Sequence, residues 1–111
     1  IKEPKVFVGH IKDAIELIYS YVGNITEDEF YENEMVQDAV IRRFEIIGEA
    51  SRNLNDEFKQ VYNLVLWRDL PDLRNFLIHE YFDVDLKLVW RVIKNDLKLL
   101  REQIGVILEK L

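Results

Sequence analysis

The sequence predicts an all-α protein, a compact up-and-down bundle of four to five helices. Apolar residues recur every three or four positions along most of the chain, which is the spacing of a core-facing helical stripe. No segment alternates apolar and polar residues in the manner of a strand. Only four glycines and two prolines occur, which favours long helices with few turns. A chain of 111 residues has the size of one domain, so residues 1–111 are expected to form a single domain.

The first helix is predicted to run from about Pro4 to Val22. Proline suits the first turn of a helix, because its missing N–H would have no helical partner there. Gly23 and Asn24 form a stop signal. The predicted core stripe of this helix consists of Val8, Ile11, Ile15, Ile18 and Val22.

A short second helix should begin after Thr26, which forms a predicted capping box with Glu29 and leads into a helix ending near Tyr31. A long helix follows, from about Asn33 to Asn53. Its predicted core stripe is Val36, Ala39, Val40, Phe44, Ile47 and Ala50. Gly48 lies inside this helix, where glycine costs about 1 kcal/mol relative to alanine. We attribute it to close packing against a neighbouring helix rather than to a functional role.

The second half of the chain is also predicted to be helical. Residues Asp56–Asn63 resemble a short, weaker helix, Trp67–Leu70 a connector, and Pro71 the start of another helix. Asp85 is the predicted cap of a last helix that runs from Leu86 to near the terminus. Its apolar stripe is Leu86, Val89, Ile93, Leu97, Leu100, Ile104, Leu108 and Leu111. This stripe can pack within the bundle or against a second copy, and periodicity does not decide between the two.

Composition excludes several classes of function. The chain has no cysteine, which rules out disulfides and thiolate metal sites and fits a cytoplasmic location. No apolar run approaches the roughly 20 residues of a membrane span, and no signal peptide is visible. The net charge of −6 argues against broad, non-specific nucleic-acid binding. A small basic site, local or shared between subunits, remains compatible with that charge.

The segment from Arg74 to Tyr81 contains the strongest candidates for chemistry. The chain has only two histidines, and His79 lies five residues after Arg74 and two before Tyr81. Histidine titrates near neutral pH, and arginine binds phosphate through paired hydrogen bonds. Asn75 and His79 are four residues apart, so on a regular helix they share a face, where Asn75 could hold the imidazole in one tautomer.

Helical geometry complicates a site built from one segment. Five residues of regular helix turn the chain by about 500°, so Arg74 and His79 would point roughly 140° apart. Either the helix ends or distorts near His79, or the two groups meet partners from another chain. A purely structural interpretation also exists, in which Arg74 pairs with an acid such as Glu49, His79 caps the helix end and Tyr81 packs.

A family resemblance extends this interpretation. Arg74-Asn75-x-Leu77-x-His79-x-Tyr81-Phe82 resembles the Arg-x4-His-x-Tyr motif of the HepT-like branch of the HEPN superfamily. Further segments are similar to that family and occur in its order: Met35–Val40, Ile46–Ala50, Trp67, Val84–Leu86 and Val89-Trp90. The resemblance covers nearly the whole chain and is far more specific than the short motif alone.

The resemblance implies a metal-independent endoribonuclease toxin, inhibited by a minimal nucleotidyltransferase antitoxin. It implies a homodimer that brings the motif helices together at its interface and acts on RNA, with no cofactor and no metal. Carried over to this chain, Arg74 and His79 are the catalytic candidates, with Asn75 and Glu49 as supporting residues. Tyr81 matches the tyrosine that the partner modifies with AMP, which would switch the enzyme off by charge and bulk.

The chemistry of RNA cleavage without a metal suits these residue types. The ribose 2′-hydroxyl is the nucleophile, so a base must take its proton and an acid must protonate the leaving 5′-oxygen. Histidine suits both tasks, and arginine stabilises the charge on the phosphoryl oxygens. One motif supplies one histidine, and a two-fold dimer would supply two.

Other charged residues are interpreted as structural. The acidic cluster within residues 27–34 is a solvated, helix-capping surface or a docking face for a basic partner. Arg42, Arg43 and Arg68 form surface salt bridges or contact RNA or AMP. Two alternative functions remain. One is a non-catalytic HEPN module that binds a nucleotidyltransferase or a nucleotide, which the net charge favours. The other is a helical oligomerisation protein without a ligand.

Overall fold

Helices build nearly all of the protein in the computed structural model, which describes residues 3–79 and 83–111. The helix α1 lies against both α3 and α7, and together they enclose the core. The predicted all-α class is confirmed. The helices are α1 (Pro4–Val22), α2 (Glu27–Glu32), α3 (Glu34–Arg52), α4 (Asp56–Val61), α5 (Leu73–Leu77), α6 (Leu86–Arg91) and α7 (Leu97–Lys110). A 3₁₀ turn (Trp67–Asp69), two short strands, β1 (Ile78–His79) and β2 (Asp83–Val84), and a π-turn (Val92–Asp96) complete the described elements.

The core is made by the stripes that the sequence predicts. All five residues of the α1 stripe are buried, as are Val40, Phe44, Ile47 and Ala50 of the α3 stripe. Full burial of one such side chain stabilises the fold by roughly 1.5–3 kcal/mol. Phe30 of α2 is also fully buried and packs against Trp90 with tilted rings, whose centroids are 5.3 Å apart. The predicted stripes therefore fix the faces on which α1 and α3 meet.

Side-chain caps set the boundaries between the first helices. The predicted capping box is confirmed, because the Glu29 N–H donates to Thr26 Oγ1 and the Thr26 N–H donates to Glu29 Oε1, each at 3.1 Å. Asn33 ends α2 with extended backbone, and its Oδ1 accepts the Val36 N–H at 3.1 Å to begin α3. Thr26 and Asn33 thus begin the two helices, and acidic side chains occupy the first turn of each, where negative charge is favourable.

The last predicted helix is continuous over residues 86–110 but contains a π-turn, Val92–Asp96. Asp85 caps it as predicted, with Oδ1 accepting the Leu88 N–H at 3.0 Å. The wider turn places both Val92 and Ile93 in the core. The predicted stripe is wrong at its end, where Leu111 is exposed and Ile107 is fully buried. A step of three residues from Ile104 reaches Ile107, and the helix ends before Leu111.

Ion pairs tie α1 to α7 on the surface. Arg101 donates to the Glu16 carboxylate through Nε at 2.8 Å and Nη2 at 2.6 Å, and Lys12 donates to the same carboxylate at 2.9 Å. The hydrogen bond from Arg101 holds the pKa of Glu16 below its usual value. Within the described part of the chain, no helix is long and apolar enough to cross a membrane.

Candidate functional site

Arg74 and His79 lie on two different elements, because α5 ends between them. Arg74 belongs to α5, and Ile78 follows the helix with extended backbone. The Leu77 carbonyl, which in a continuing helix would accept an amide four residues later, accepts the Asp85 N–H instead, at 3.0 Å. The helix therefore ends before His79, as one of the two alternatives for this segment requires.

The start of α5 also differs from the prediction. Pro71 was expected to open the helix, but α5 begins at Leu73, with Asp72 as its N-cap. The Pro71 carbonyl accepts a hydrogen bond from Arg52 Nη2 at 2.9 Å, rather than one from the backbone of α5. This contact with α3 keeps Pro71 in the turn that precedes the helix. The helix that carries Arg74 is therefore only five residues long.

The backbone of His79 is held in a small antiparallel ladder. Ile78 pairs with Val84 and His79 with Asp83. The hydrogen bond between the Asp85 N–H and the Leu77 carbonyl closes the base of this ladder. The predicted modification site, Tyr81, lies outside the described residues. The ladder thus places the His79 backbone immediately beyond the helix that carries Arg74.

Asn75 and His79 do not lie on one helix, so the geometric reason for expecting Asn75 to support His79 no longer applies. The two residues were expected to share a helix face, but α5 ends at Leu77. Asn75 is exposed, and its Oδ1 lies 3.4 Å from Arg74 Nη1, a long contact between neighbouring residues. In the described structure, Asn75 is therefore a neighbour of the Arg74 guanidinium.

Arg74 forms its ion pair with Glu45, not with the expected Glu49. Arg74 Nε lies 2.7 Å from Glu45 Oε2, so the two charged groups are in direct contact as an ion pair. Glu49, one turn further along α3, lies 3.9 Å from Arg42 Nη1. The Arg42 guanidinium also donates to Glu45 Oε1 at 3.1 Å. The ion-pair partner of Arg74 is therefore Glu45 and not the predicted Glu49, and Arg42 contacts the same carboxylate.

One face of α3 holds the segment that leads into α5. Glu45, Gly48 and Arg52 are spaced by three and four residues, so they follow one face of the helix. Glu45 pairs with Arg74, and Arg52 donates to the Pro71 carbonyl. Between them, a Cβ on Gly48 would lie 2.9 Å from the Leu70 carbonyl oxygen and 3.0 Å from that of Pro71. Close packing at Gly48 is confirmed, but the neighbour is the turn before α5 and not the predicted neighbouring helix.

The Arg74 side chain is accessible to a ligand. Its exposed fraction is 47% even with the Glu45 contact. Two arginines, Arg42 and Arg74, and two acids, Glu45 and Glu49, make the charge of this cluster balanced in formal terms. Among the side chains that the structure describes, no three His, Asp or Glu groups are placed to hold a metal ion.

An apolar groove adjoins α5. Phe76 of α5, Leu66 before the 3₁₀ turn and Leu99 of α7 line it, and their exposed fractions are 58%, 73% and 56%. Side chains of this size are more often covered when they cluster on a surface. The groove therefore gives the helix of Arg74 an exposed apolar flank.

Sequence reasoning missed Glu45 as a member of the site. Glu45 and Glu49 are four residues apart on the same helix face, so spacing alone does not select between them. The selection depends on where the turn at residues 70–72 meets α3, which is a tertiary contact. Gly48 was the available signal, since a glycine inside a helix marks a close approach, and Glu45 lies three residues before it.

Comparison with known proteins gives the family of the chain. Residues 11–107 match the model of a family described as HepT-like ribonuclease. The "Gamma-glutamylcyclotransferase and putative RNase" of Methanocaldococcus jannaschii is 47% identical over 110 residues, which is 99% of this chain and 50% of that protein. This chain thus spans about half the length of that relative.

Other relatives match over most of their length. The "Probable ribonuclease HepT" of Thermococcus cleftensis is 39% identical over 97 residues, covering 87% of this chain and 88% of that protein. The "Putative RNase" of Caldanaerobacter subterraneus is 34% identical over 110 residues, covering 99% and 98%. No solved structure matches the chain significantly. The family match and these identities agree with the resemblance of the motif, and the chain belongs to the HepT-like ribonuclease family.

Proposed function

We propose that this protein is a metal-independent endoribonuclease, with Arg74 and His79 as its catalytic residues. The observation that carries the proposal is the accessible Arg74 guanidinium on α5, with the His79 backbone immediately after the helix, in a member of the HepT-like ribonuclease family. Arginine supplies a fixed cation for a scissile phosphate, and histidine supplies a group that titrates near neutral pH.

In the proposed reaction, His79 takes the proton of the ribose 2′-hydroxyl and the 2′-oxygen attacks phosphorus. The bond from phosphorus to the 5′-oxygen breaks, and a second acid protonates that oxygen. Arg74 stabilises the charge that grows on the phosphoryl oxygens. The products then carry a 2′,3′-cyclic phosphate and a 5′-hydroxyl, and a 2′-deoxy nucleotide at the cleavage position blocks the reaction.

The second histidine of the mechanism comes from a second copy of the chain in this proposal. The exposed apolar side chains beside α5 support a dimer in which two copies of the motif face each other, because such a cluster gains free energy when it is covered. We expect Leu99→Glu, in the groove, to produce monomers in sedimentation measurements. Val6→Glu, at an exposed apolar position of α1 outside the groove, should leave the dimer intact. A monomeric wild type that cleaves RNA would refute the shared site.

The decisive experiment is RNA cleavage in the presence of EDTA. His79→Ala should abolish cleavage while the far-UV circular dichroism of the protein stays unchanged. His10→Ala is the matched control, because His10 is the other histidine of the chain and is exposed on α1. Full activity of His79→Ala, or cleavage only when a divalent metal is added, would contradict the proposed chemistry.

The proposed regulation uses Tyr81 and a minimal nucleotidyltransferase antitoxin as partner. Transfer of AMP from ATP to the Tyr81 hydroxyl, with loss of the phenol proton and release of pyrophosphate, would add a negative charge and bulk two residues from His79, which would repel and obstruct RNA. Intact-mass measurement after co-expression with such a partner should show added AMP on wild type and none on Tyr81→Phe. Unmodified wild type, or equal modification of both proteins, would refute this step.

The alternative is a non-catalytic module that binds a nucleotidyltransferase or a nucleotide. The net charge of −6 and the ion pair between Arg74 and Glu45 favour this function, since both weaken attraction for an RNA backbone. The cleavage assay separates the two proposals. Binding of the partner without any RNA cleavage by wild type would select the alternative.

A further inference from the structure

The Glu45 carboxylate joins two guanidinium groups at the candidate site. Its Oε2 lies 2.7 Å from Arg74 Nε, and its Oε1 accepts a hydrogen bond from Arg42 Nη1 at 3.1 Å. Each carboxylate oxygen therefore has its own arginine. We propose that Glu45 is a positioning residue, which holds Arg74 in the orientation that contacts the scissile phosphate. This inference deepens the proposed ribonuclease function and rests on it.

Glu45 is well placed to fix a side chain because its own helix is rigid. Its neighbours Phe44 and Ile47 are fully buried in the core, and Gly48 packs directly against the turn before α5. Arg74, by contrast, is half-exposed on a helix of five residues. A free arginine side chain has about 2 kcal/mol of rotamer entropy to lose when it binds a ligand in one orientation. The Glu45 contact removes part of that freedom before RNA binds.

The geometry of the contact leaves the phosphate-binding end of Arg74 accessible. The Glu45 carboxylate contacts the guanidinium at its Nε side, where Oε2 lies 2.7 Å from Nε, and arginine carries four further N–H donors on its two Nη groups. Among the described residues, the remaining contact of the guanidinium is the long one from Nη1 to Asn75 Oδ1, at 3.4 Å. The two Nη groups can therefore face a phosphate while the Nε side is held by protein. A contact through both Nη groups would have blocked that approach.

Positioning and simple charge neutralisation give opposite expectations for Glu45→Gln. The substitution removes a negative charge beside the proposed RNA site, so neutralisation alone would tighten RNA binding and raise the cleavage rate. Loss of positioning instead lowers the rate on bound RNA, because misplacing a group by about 1 Å can cost on the order of a hundredfold. The division of the effect between kcat and KM thus distinguishes the two roles.

The kinetic test compares cleavage of one RNA by wild type and matched variants. Glu45→Gln should lower kcat about ten- to a hundredfold with an equal or lower KM, and Glu45→Asp, which keeps the carboxylate, should recover part of kcat. Glu109→Gln, an exposed position on α7, controls for the change of net charge. In an Arg74→Lys background, which lacks the Nε–H, Glu45→Gln should have little further effect on kcat. An unchanged or raised kcat in Glu45→Gln, or a larger loss in Glu49→Gln, would overturn the proposal.

A second measurement does not depend on activity. The Arg74 Nε–H resonance, assigned in an NMR spectrum by its loss in Arg74→Lys, should be protected from solvent exchange in wild type and lose that protection in Glu45→Gln. Equal protection in both proteins would overturn the positioning role. If wild type shows the expected protection but cleaves no RNA, the proposed function fails, and the fixed orientation of Arg74 by Glu45 is retained as a feature of its binding surface.

Discussion

Gly48→Ala tests whether the contact between α3 and the turn before α5 is as close as the structure shows. The added Cβ would lie 2.9 Å from the Leu70 carbonyl oxygen and 3.0 Å from that of Pro71. Both atoms belong to the backbone, so neither can rotate away as a flexible side chain would. The turn must move away from α3, and with it the helix that carries Arg74.

The change in the free energy of unfolding expected for Gly48→Ala is the balance of two opposing contributions. Alanine is favoured over glycine inside a helix by roughly 0.8–1.0 kcal/mol. Overpacking of a well-packed site costs typically about 1–3 kcal/mol. We therefore expect a net decrease in the free energy of unfolding of about 1 kcal/mol, equivalent to a fall in Tm of about 4 °C for a domain of this size.

Gly105→Ala is the matched control. Gly105 lies inside α7, and a Cβ there would meet no atom within 4 Å. The same substitution should therefore stabilise the protein, by up to about 1 kcal/mol. Comparison of the two variants cancels the propensity term and leaves the cost of the contact, about 1–3 kcal/mol. Urea denaturation followed by circular dichroism measures both. A Gly48→Ala protein as stable as Gly105→Ala would refute the reasoning.

Three further measurements test other contacts. Arg101 is the largest cause of the lowered pKa of Glu16, so this pair stabilises the protein above the ordinary carboxyl pKa, and its contribution is lost as pH falls through the lowered value. Arg101→Ala should reduce this acid dependence, with a loss of less than about 1 kcal/mol because the pair is partly exposed, and Lys12 retains its own contact with Glu16. An unchanged acid dependence of the urea midpoint would contradict the role of Arg101. The Tyr31 hydroxyl donates to the Glu27 carboxylate, which raises the pKa of Tyr31 to about 12. In an ultraviolet titration, Tyr31→Phe should therefore remove a tyrosinate transition near that pH, and loss of one near the ordinary value would contradict the contact. Thr26→Ala should cost about 1 kcal/mol in urea denaturation by removing a helix cap, and an unchanged midpoint would count against it.

Local chemistry made most of the helix boundaries predictable. Thr26 and Asp85 cap helices at the predicted positions. A short polar side chain just before an apolar stripe can accept a hydrogen bond from an N–H of the first helical turn that has no other partner. The α1 stripe was predictable for a similar reason, since every one of its residues faces the core. Both signals lie within a few residues of the feature they determine.

The candidate site was less predictable, because its geometry depends on contacts between distant segments. The sequence singled out Arg74 as a candidate, but the ion-pair partner of Arg74 is Glu45 rather than Glu49. That choice is made by the packing of the 70–72 turn against Gly48. The end of α5 at Leu77 likewise depends on an amide eight residues later, that of Asp85. No pattern within the motif itself encodes these contacts.

The π-turn of the last helix has a consequence for insertions and deletions. A π-turn holds one more residue than the regular turn it replaces. Removal of one residue within 92–96 would therefore convert it into an ordinary turn, while residues 97–110 keep their facing towards α1. Elsewhere in the same helix, a deletion would rotate every following side chain by about 100°. We expect length variation among relatives of this chain to be tolerated in this helix at that turn, where the extra residue is already accommodated.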